Sequence, residues 1–353
     1  MIPMMNFSMN VNNQLLFFSL LIILAGCKKS TPEQMNNVTT PPPVTTTFAK
    51  GADVSWITEM EAANRKFYNA NGIQQEGMSL LKSLGMNTIR LRVWVNPVNG
   101  WSNKADVVIK AKRAKELGFR IMIDFHYSDT WADPGHQTKP AAWIGHNLAH
   151  LKTALYNHTI DVLTELKTNN ITPEWVQIGN ETNDGMLWPE GKASINMASF
   201  AQLVTAGYDA VKAISNTSKV IVHLSNGYDN ALYRWMFDGL LANGAKWDVI
   251  GLSLYPSPAN WTTLAAQCLT NMNDMVSRYG KPVMVVEVGM SWDSPEASKA
   301  FLTDIIQKVQ SIPQNKGLGV LYWEPQSYGN WQGYTLGAFD NAGKPTAALD
   351  AFK

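Results

Sequence analysis

One alternation of elements recurs from residue 48 to the C-terminus. An amphipathic helix ends at a glycine, and a short apolar strand begins almost at once. The pattern is plainest in LLKSLG-MNTIRLRV at 80–93 and in RAKELG-FRIMIDF at 113–125. Gly85 and Gly118 stand where a left-handed residue closes a helix. The strands are apolar on both faces, which is typical of parallel strands buried between layers.

The pattern predicts eight strands, separated by amphipathic stretches such as 79–84, 107–117 and 203–214. The strands are predicted to begin near Phe48, Thr88, Arg120, Trp175, Val220, Val249, Val283 and Gly319. Eight strand–helix units with a mean spacing of about 39 residues predict an α/β fold, a (β/α)8 TIM barrel that forms a single catalytic domain over 48–353. A doubly wound open sheet is the alternative, which is disfavoured because no GxGxxG motif follows the first strand.

The N-terminus predicts an export signal. Residues 15–24 read LLFFSLLIIL, too short an apolar run for a transmembrane helix of about 20 residues but typical of a signal peptide. The following LAGC at 24–27 resembles the lipobox of bacterial lipoproteins, in which Cys27 would be the lipidated residue. Residues 1–27 are therefore predicted to be a lipoprotein signal peptide, and an ordinary secretory signal is the alternative. No Lys or Arg precedes the apolar run, which departs from the usual signal pattern.

Residues 28–47 are rich in Pro and Thr and predict an extended tether. Together with a lipid anchor at Cys27, the tether predicts a cell-envelope lipoprotein of the outer membrane, and its length favours the cell surface. The second cysteine, Cys268, would then have no disulfide partner and is expected in the core.

The composition and the missing motifs argue against several classes of function. Lys and Arg total 29 and Asp and Glu total 28, a net charge of +1, which argues against a nucleic-acid-binding protein. Two cysteines exclude a disulfide scaffold. The sequence has no Walker A motif, no HExxH and no CxxC. The four histidines at 136, 146, 150 and 158 lack a metal-binding spacing and are interpreted as solvated or structural.

Polar and aromatic residues end the predicted strands, where a barrel of this kind has its active site. Glu181 and Glu287 are the most informative, because each follows a strongly apolar run and a carboxylate there is costly unless it is paired or used. A pair of structural salt-bridge acids is the alternative. Two carboxylates across one pocket can hydrolyse a glycosidic bond, one as proton donor and the other as nucleophile.

Five segments make the chain similar to a known family. They are KGADVSW (50–56), NTIRLRVWVNP (87–97), DFHYSDTWADPGHQ (124–137), QIGNETNDGMLWPEG (177–191) and VVEVGM (285–290). Together they resemble glycoside hydrolase family 53, the arabinogalactan endo-β-1,4-galactanases, over about residue 48 to the C-terminus. The resemblance implies an endo-acting retaining enzyme that cleaves β-1,4-galactan side chains of pectin.

The resemblance also implies roles for single residues. Glu181 matches the acid/base and Glu287 the nucleophile, with their carboxyl groups about 5 Å apart. Arg92 would lie beside Glu287 and keep it ionised, and Tyr255 would donate a hydrogen bond to it. Trp323 would form the floor under the attacked sugar. The remaining predicted substrate-binding residues are Asp53, Trp94, His126, Asn180 and Asn226, with Asn180 on the sugar 2-hydroxyl and His126 on sugar hydroxyls or orienting Glu181.

The aromatic residues divide into two groups. Trp94 and Trp323 are the strongest candidates for stacking on sugar faces, and Trp131, Trp188 and Trp331 are further candidates. Trp175 and Trp247 precede strands and are expected to pack.

Catalysis of this kind needs no cofactor or metal. Some bacterial relatives carry a calcium ion in the loops near the seventh and eighth strands. Residues 289–319 hold a helix and little spare loop, which disfavours that site here.

Two other functions remain open from the sequence. One is a related enzyme acting on another β-1,4-glycan, and the other is a surface lipoprotein that binds glycan without cleaving it.

Overall fold

A computed structural model describes residues 47–353 of the chain. The predicted signal peptide at 1–27, the lipidation site Cys27 and residues 28–46 of the predicted tether lie outside the described residues. Within residues 47–353, no helix combines the length and the apolar character needed to cross a membrane.

Eight parallel strands form a closed barrel, which confirms the predicted (β/α)8 TIM barrel. The strands are β1 (Ala49–Asp53), β2 (Thr88–Val93), β3 (Arg120–Phe125), β4 (Trp175–Ile178), β5 (Lys219–Leu224), β6 (Val249–Leu254), β7 (Val283–Val288) and β8 (Gly317–Trp323). Each strand pairs with its neighbours along the chain, and β8 closes the barrel against β1, with Asp53 opposite Trp323. All eight observed starts lie within two residues of the predicted ones.

Eight helices surround the barrel or connect its strands. They are α1 (Ile57–Ala62), α2 (Gly77–Ser83), α3 (Lys104–Glu116), α4 (Leu148–Thr168), α5 (Met197–Ile214), α6 (Asn230–Ala242), α7 (Trp261–Tyr279) and α8 (Pro295–Gln310). A short hairpin between α1 and α2 pairs Phe67–Tyr68 with Gln74–Gln75. The helices α3, α4 and α5 begin after an Asn whose side chain accepts a backbone N–H of the first turn, which satisfies donors that the helix itself leaves free.

Gly85 and Gly118 follow α2 and α3 and take the left-handed conformation that the sequence predicts, with φ of 94° and 71°. At Gly85 a second constraint acts, because an added Cβ would lie 2.3 Å from the carbonyl oxygen of Phe352. The turn before β2 therefore packs directly against the C-terminal segment, and a side chain has no room there.

The barrel interior changes from apolar to polar along the strands. Its lower part is a buried cluster made of Ala49, Met122, Trp175, Ile221, Val249, Met284, Val286 and Leu321. A larger buried cluster lies between strands and helices and contains Trp247 and Cys268. Trp175 and Trp247 thus pack as predicted, and Cys268 is buried with a free thiol. Toward the carboxyl ends of the strands, the inward positions become buried polar residues, among them Arg90, Asp124, Gln177 and His223.

Candidate active site

A cleft of about 1030 Å³ opens over the carboxyl ends of the strands. Glu181 and Glu287 both line it, although 106 residues of chain separate them. Six of the eight other predicted site residues line the same cleft: Trp94, His126, Asn180, Asn226, Tyr255 and Trp323. The structure therefore brings the two glutamates to one groove of a size suited to a ligand.

Glu181 is presented by a sharp turn after β4. Gly179 and Glu181 both have positive φ, 80° and 44°. A Cβ at Gly179 would lie 2.6 Å from Cγ2 of Thr182, so the turn depends on the glycine. A non-glycine residue held at positive φ is costly and clusters at functional sites. Here the turn carries the Glu181 side chain from the end of β4 into the cleft.

Glu287 reaches the barrel interior through an irregularity in β7. Met284 and Val286 already point into the interior cluster, so strict alternation would send Glu287 outward. The register against β6 shifts by one residue, from Leu252 opposite Val285 to Ser253 opposite Glu287. A bulge of this kind reverses the phase of the side chains that follow, and it turns Glu287 inward, where it is 5% exposed.

Arg90 is the cation beside Glu287. Its Nη2 lies 2.8 Å from Oε1 of Glu287 and 2.8 Å from Oδ2 of Asp124, and its Nη1 lies 2.7 Å from Oδ2 of Asp53. Burial opposes the charge, but Asp124, Glu287 and Asp53 outweigh that effect and raise the pKa of Arg90. Arg90 therefore stays a cation.

Two sequence-based assignments are wrong at this point. The contact with Glu287 that the resemblance assigned to Arg92 is made by Arg90. Asp53, predicted to bind substrate, is fully buried beneath the cleft. Its carboxylate accepts from Arg90 and from the hydroxyl and backbone N–H of Ser55, so it fixes the arginine instead of meeting the substrate.

The carboxyl groups of both glutamates have pKa values above the ordinary value. Burial raises the pKa of Glu181, and burial together with the charge of Glu181 raises the pKa of Glu287 against the opposing effect of Arg90. Two such groups in one cleft titrate as a pair. Arg90 and the Tyr255 hydroxyl, at 2.8 Å from Oε1 and Oε2 respectively, donate to Glu287. These two donors stabilise the ionised form of Glu287.

Asn180 lies between the buried network and the cleft. Its Oδ1 accepts from Arg90 at 3.0 Å, and its Nδ2 donates to the carbonyl of Ala132 at 2.8 Å. The amide nitrogen has a second hydrogen, and the side chain lines the cleft. This geometry is compatible with a donor to a sugar hydroxyl.

His126 has no nitrogen left for a ligand. Its Nδ1 accepts from the backbone N–H of Ala132 at 3.1 Å and from Nε1 of Trp94 at 3.4 Å. Its Nε2 therefore carries the proton and donates to Asp124 at 3.0 Å. The predicted hydrogen bond from His126 to a sugar hydroxyl is wrong, and so is direct orientation of Glu181. The ring fixes the position of Trp94 in the cleft wall.

Indole rings form one side of the cleft around Arg92. The guanidinium carbon lies 4.2 Å from the ring centroid of Trp131, 4.7 Å from that of Trp94 and 5.8 Å from that of Trp56. Trp323 packs edge-to-face on Trp56 at 5.1 Å. A buried cation among rings is attracted by their faces, so Arg92 fixes this aromatic wall.

The other tryptophan candidates lie elsewhere. Trp188 and Trp331 are outside the lining of the cleft. Lys192 lies over the ring of Trp188 at 4.5 Å, and Arg65 lies over that of Trp331 at 5.5 Å.

Metal-binding clusters are not found over residues 47–353: no group of three or more His, Cys, Asp or Glu could hold an ion there. His136 lies 3.0 Å from Asp133, His146 packs on His150, and His158 packs on Phe125 and Trp143. The interval 289–319 contains α8 and a short 3-10 turn at 313–315, as its length suggested.

Sequence reasoning missed one buried polar residue beside the site, His223 of β5, which is fully buried and lies 3.1 Å through Nδ1 from Oδ1 of Asn180. The sequence contains a signal for it, because His223 is a polar residue on the inward-facing side of an apolar strand.

Three comparisons place this chain among known proteins. The family described as "Glycosyl hydrolase family 53" matches residues 49–352. The arabinogalactan endo-beta-1,4-galactanase of Thermothelomyces thermophilus is 36% identical over 301 residues, 78% of this chain and 89% of that protein. A fungal beta-1,4-galactanase structure superposes with a TM-score of 0.79 at 34% identity, covering 86% of this chain and 98% of its own. The Ignisphaera aggregans GH53 catalytic domain gives a TM-score of 0.80 at 30% identity, covering 88% and 97%. The chain belongs to glycosyl hydrolase family 53.

Proposed function

We propose that the protein is an endo-β-1,4-galactanase that cleaves galactan and type I arabinogalactan with retention of configuration. One observation carries the proposal. Glu287, ion-paired with Arg90 and hydrogen-bonded by Tyr255, shares an open cleft with Glu181. The chain that carries this pair is 36% identical to a protein named for this activity.

The reaction needs Glu287 as an ionised carboxylate and Glu181 as a protonated carboxyl group. An oxygen of Glu287 attacks the anomeric carbon, the bond from that carbon to O4 of the next sugar breaks, and the proton of Glu181 passes to O4. Glu181, now ionised, takes a proton from water as the water oxygen attacks the same carbon. The ester bond to Glu287 breaks, and Glu287 leaves as a carboxylate.

The cleft favours an endo-acting enzyme. Its volume of about 1030 Å³ lies at the upper end of the roughly 300–1,000 Å³ typical of small-molecule pockets. Residues from the loops after β1, β2, β3, β5, β6 and β8 line it, so the groove extends to both sides of the glutamates. Such a groove accommodates several sugars of a polymer.

Substrate choice and stereochemistry test this proposal together. The domain 47–353 is incubated with β-1,4-galactan, β-1,4-mannan and β-1,4-glucan, and new reducing ends are measured. We expect galactan to be cleaved at least about 100-fold faster than the others, since a mismatched hydroxyl leaves buried polar groups unpaired. Proton NMR of the first product should show the β-anomer.

Two results would contradict the proposal. Preferential cleavage of mannan or glucan would select the related enzyme on another glycan, and binding of galactan without cleavage would select the non-catalytic lipoprotein. An α-anomer as first product would exclude retention.

We further propose that Cys27 is lipidated and anchors the enzyme in the outer membrane, facing the cell surface. The support is LAGC at 24–27 directly after the apolar run at 15–24. A lipid chain near the N-terminus and the Pro/Thr-rich segment would hold the catalytic domain within reach of an external polymer.

Metabolic labelling with a fatty acid tests the anchor. We expect the full chain expressed in a bacterium to incorporate label and to enter the detergent phase, because an acyl chain adds a large apolar surface. Cys27→Ser should abolish both, whereas Cys268→Ser, which changes the buried cysteine, should keep the label. Label retained by Cys27→Ser would overturn the assignment, and protection from protease added to intact cells would exclude the cell surface.

A further inference from the structure

The charges of the domain are unequally divided between the two ends of the barrel. Residues 47–353 contain 27 Lys or Arg and 27 Asp or Glu, so their side-chain charges cancel. At the end opposite the cleft, seven segments run from the last turn of a helix to the first residue of the next strand. Their surface is called the basal face here, and it comprises 80–88, 113–120, 165–175, 211–219, 239–249, 276–283 and 307–317. These segments hold 12 of the basic residues and 4 of the acidic ones, which leaves 15 basic and 23 acidic residues for the rest of the domain.

Half of the basic residues on the basal face have no acidic partner in the described part of the chain. Six are in salt bridges, among them Arg120 with Glu174 and Lys212 with Asp248. The other six form none among residues 47–353, and each is exposed or half-buried: Lys82, Lys115, Lys167, Lys219, Lys281 and Lys316. The basal face therefore presents an excess of positive charge to the solvent.

Three of these lysines follow one another around the face. Each donates to a backbone carbonyl at the C-terminal end of the next helix or in the turn after it. An ammonium group has three hydrogens, and this contact uses one of them, so two remain for an acceptor outside the protein. The distances from Nζ to the carbonyl oxygen are 3.0 Å for Lys82 to Gly118, 2.8 Å for Lys115 to Asn170 and 2.9 Å for Lys167 to Ile214.

The helix dipole explains only part of this arrangement. A cation in the last turn of a helix is stabilised by the partial negative charge there, which accounts for the three lysines that contact carbonyls. Lys219, Lys281 and Lys316 lie beyond the helix ends, in the turns or at the start of a strand. The excess of positive charge therefore extends past the positions that the helices themselves favour.

The described part of the chain begins at this face. Thr47 precedes β1, and its carbonyl oxygen accepts from Nη1 of Arg120, the first residue of β3. The sequence that connects Cys27 to the domain, 28–47, has 20 residues. Twenty residues reach at most about 70 Å, so a lipid anchor at Cys27 would keep the basal face close to the membrane. The tether limits the distance, and the charge decides which face turns toward the lipid.

We propose that the basal face docks on the anionic lipid headgroups of the membrane that carries the anchor, so that the cleft opens away from that membrane. Each lysine near an anionic lipid surface strengthens binding about fivefold. The acidic remainder of the domain is repelled by the same surface, which favours the same orientation. The inference rests on the lipid anchor proposed at Cys27 and is independent of the galactanase activity.

The reactivity of single lysines shows which face the membrane covers. The full lipidated chain is reconstituted into vesicles of phosphatidylcholine, alone or with about 30% of the anionic lipid phosphatidylglycerol, and acetylation of each lysine is followed by mass spectrometry. We expect the six unpaired lysines of the basal face to react at least about fivefold more slowly on the anionic vesicles. Lys104 and Lys192, at the cleft end of the barrel, should react equally on both. Salt at about 1 M should remove the difference, because it screens charges beyond about 3 Å.

Two matched triple variants test the charge of the face. Lys115→Gln/Lys167→Gln/Lys219→Gln removes three exposed charges from the basal face, and the remaining unpaired lysines there should lose most of their protection on anionic vesicles. The control removes three charges elsewhere on the surface and should keep the protection at the wild-type level. It is Lys104→Gln/Lys152→Gln/Lys192→Gln. Circular dichroism verifies that both variants are folded.

Three results would overturn the docking. Equal lysine reactivity on both kinds of vesicle, with the protein bound to each, would refute it and leave the anchor standing. Slower reaction of Lys104 and Lys192 on anionic vesicles would show that the cleft faces the membrane. Protection by added polygalacturonate, without protection by anionic vesicles, would assign the face to an acidic polysaccharide. A chain that carries no lipid and does not float with vesicles would refute the anchor and the docking together, whereas cleavage of galactan is measured separately.

Discussion

Glu287→Gln should lower kcat/KM on β-1,4-galactan by at least about 10⁴-fold, since an amide cannot form the galactosyl ester and loss of a nucleophile removes the whole covalent route. The side chain keeps its size, its amide oxygen can accept from Arg90, and its NH2 group can donate to the oxygen of the Tyr255 hydroxyl. Binding should therefore persist. The measurement is initial rate against galactan concentration, with binding of a galacto-oligosaccharide followed by calorimetry.

Folding is the control for this variant. Arg90 retains its ion pairs with Asp53 and Asp124, so the loss of one charge leaves no unpaired buried cation. Glu174→Gln makes the same chemical change next to Arg120 at the opposite end of the barrel and should keep full activity. Turnover by Glu287→Gln within tenfold of wild type would show that another group is the nucleophile.

Strand positions could be predicted from the sequence because buried parallel strands leave a plain signal. In β2 and β3 an apolar run begins directly after a left-handed glycine, and the predicted starts, Thr88 and Arg120, are the observed ones. At β8 the strand begins two residues earlier than predicted, at Gly317, where it pairs with Val283 of β7.

The pattern of polar and apolar positions could not show which of two residues on the same face of a strand contacts Glu287. Arg90 and Arg92 are two positions apart on β2, so both point inward. Arg90 lies level with the three carboxylates, whereas Arg92 lies among the indoles. Sequence spacing contains no information about depth along a tilted strand, and the same limit explains why Asp53 was assigned to the cleft when it lies beneath it.

The sequence also could not show which side-chain nitrogens and oxygens already have hydrogen-bond partners within the folded protein. His126 lies in the cleft as predicted, yet Ala132, Trp94 and Asp124 occupy both ring nitrogens. Glu287 faces the barrel interior only because of the shift of register between β6 and β7, which no periodicity in either strand reveals. The residue types at the site were predictable, and their partners were not.

The Glu181→Ala variant should distinguish the acid/base role of Glu181 from the nucleophilic role of Glu287. On galactan, whose leaving sugar needs a proton, we expect kcat/KM to fall by about 10²–10⁴-fold, the usual contribution of a general acid. A 2,4-dinitrophenyl β-1,4-galactobioside has a leaving group that needs no proton. On this substrate, formation of the galactosyl-enzyme should stay fast, while hydrolysis of the ester to Glu287 slows. The galactosyl-enzyme should then accumulate, and intact-protein mass spectrometry should show the added galactobiosyl group on Glu287.

Rescue of the two glutamate variants with azide tests their roles through the anomeric configuration of the product. With Glu181 removed, azide needs no base and attacks the galactosyl-enzyme from the face opposite Glu287, which restores turnover and yields a β-galactobiosyl azide. In Glu287→Ala, azide takes the place of the missing carboxylate and yields the α-azide. Wild type should form neither. The products of the two variants would be interchanged if Glu181 were the nucleophile, and that result would contradict the assignment based on Arg90 and Tyr255 donating to Glu287.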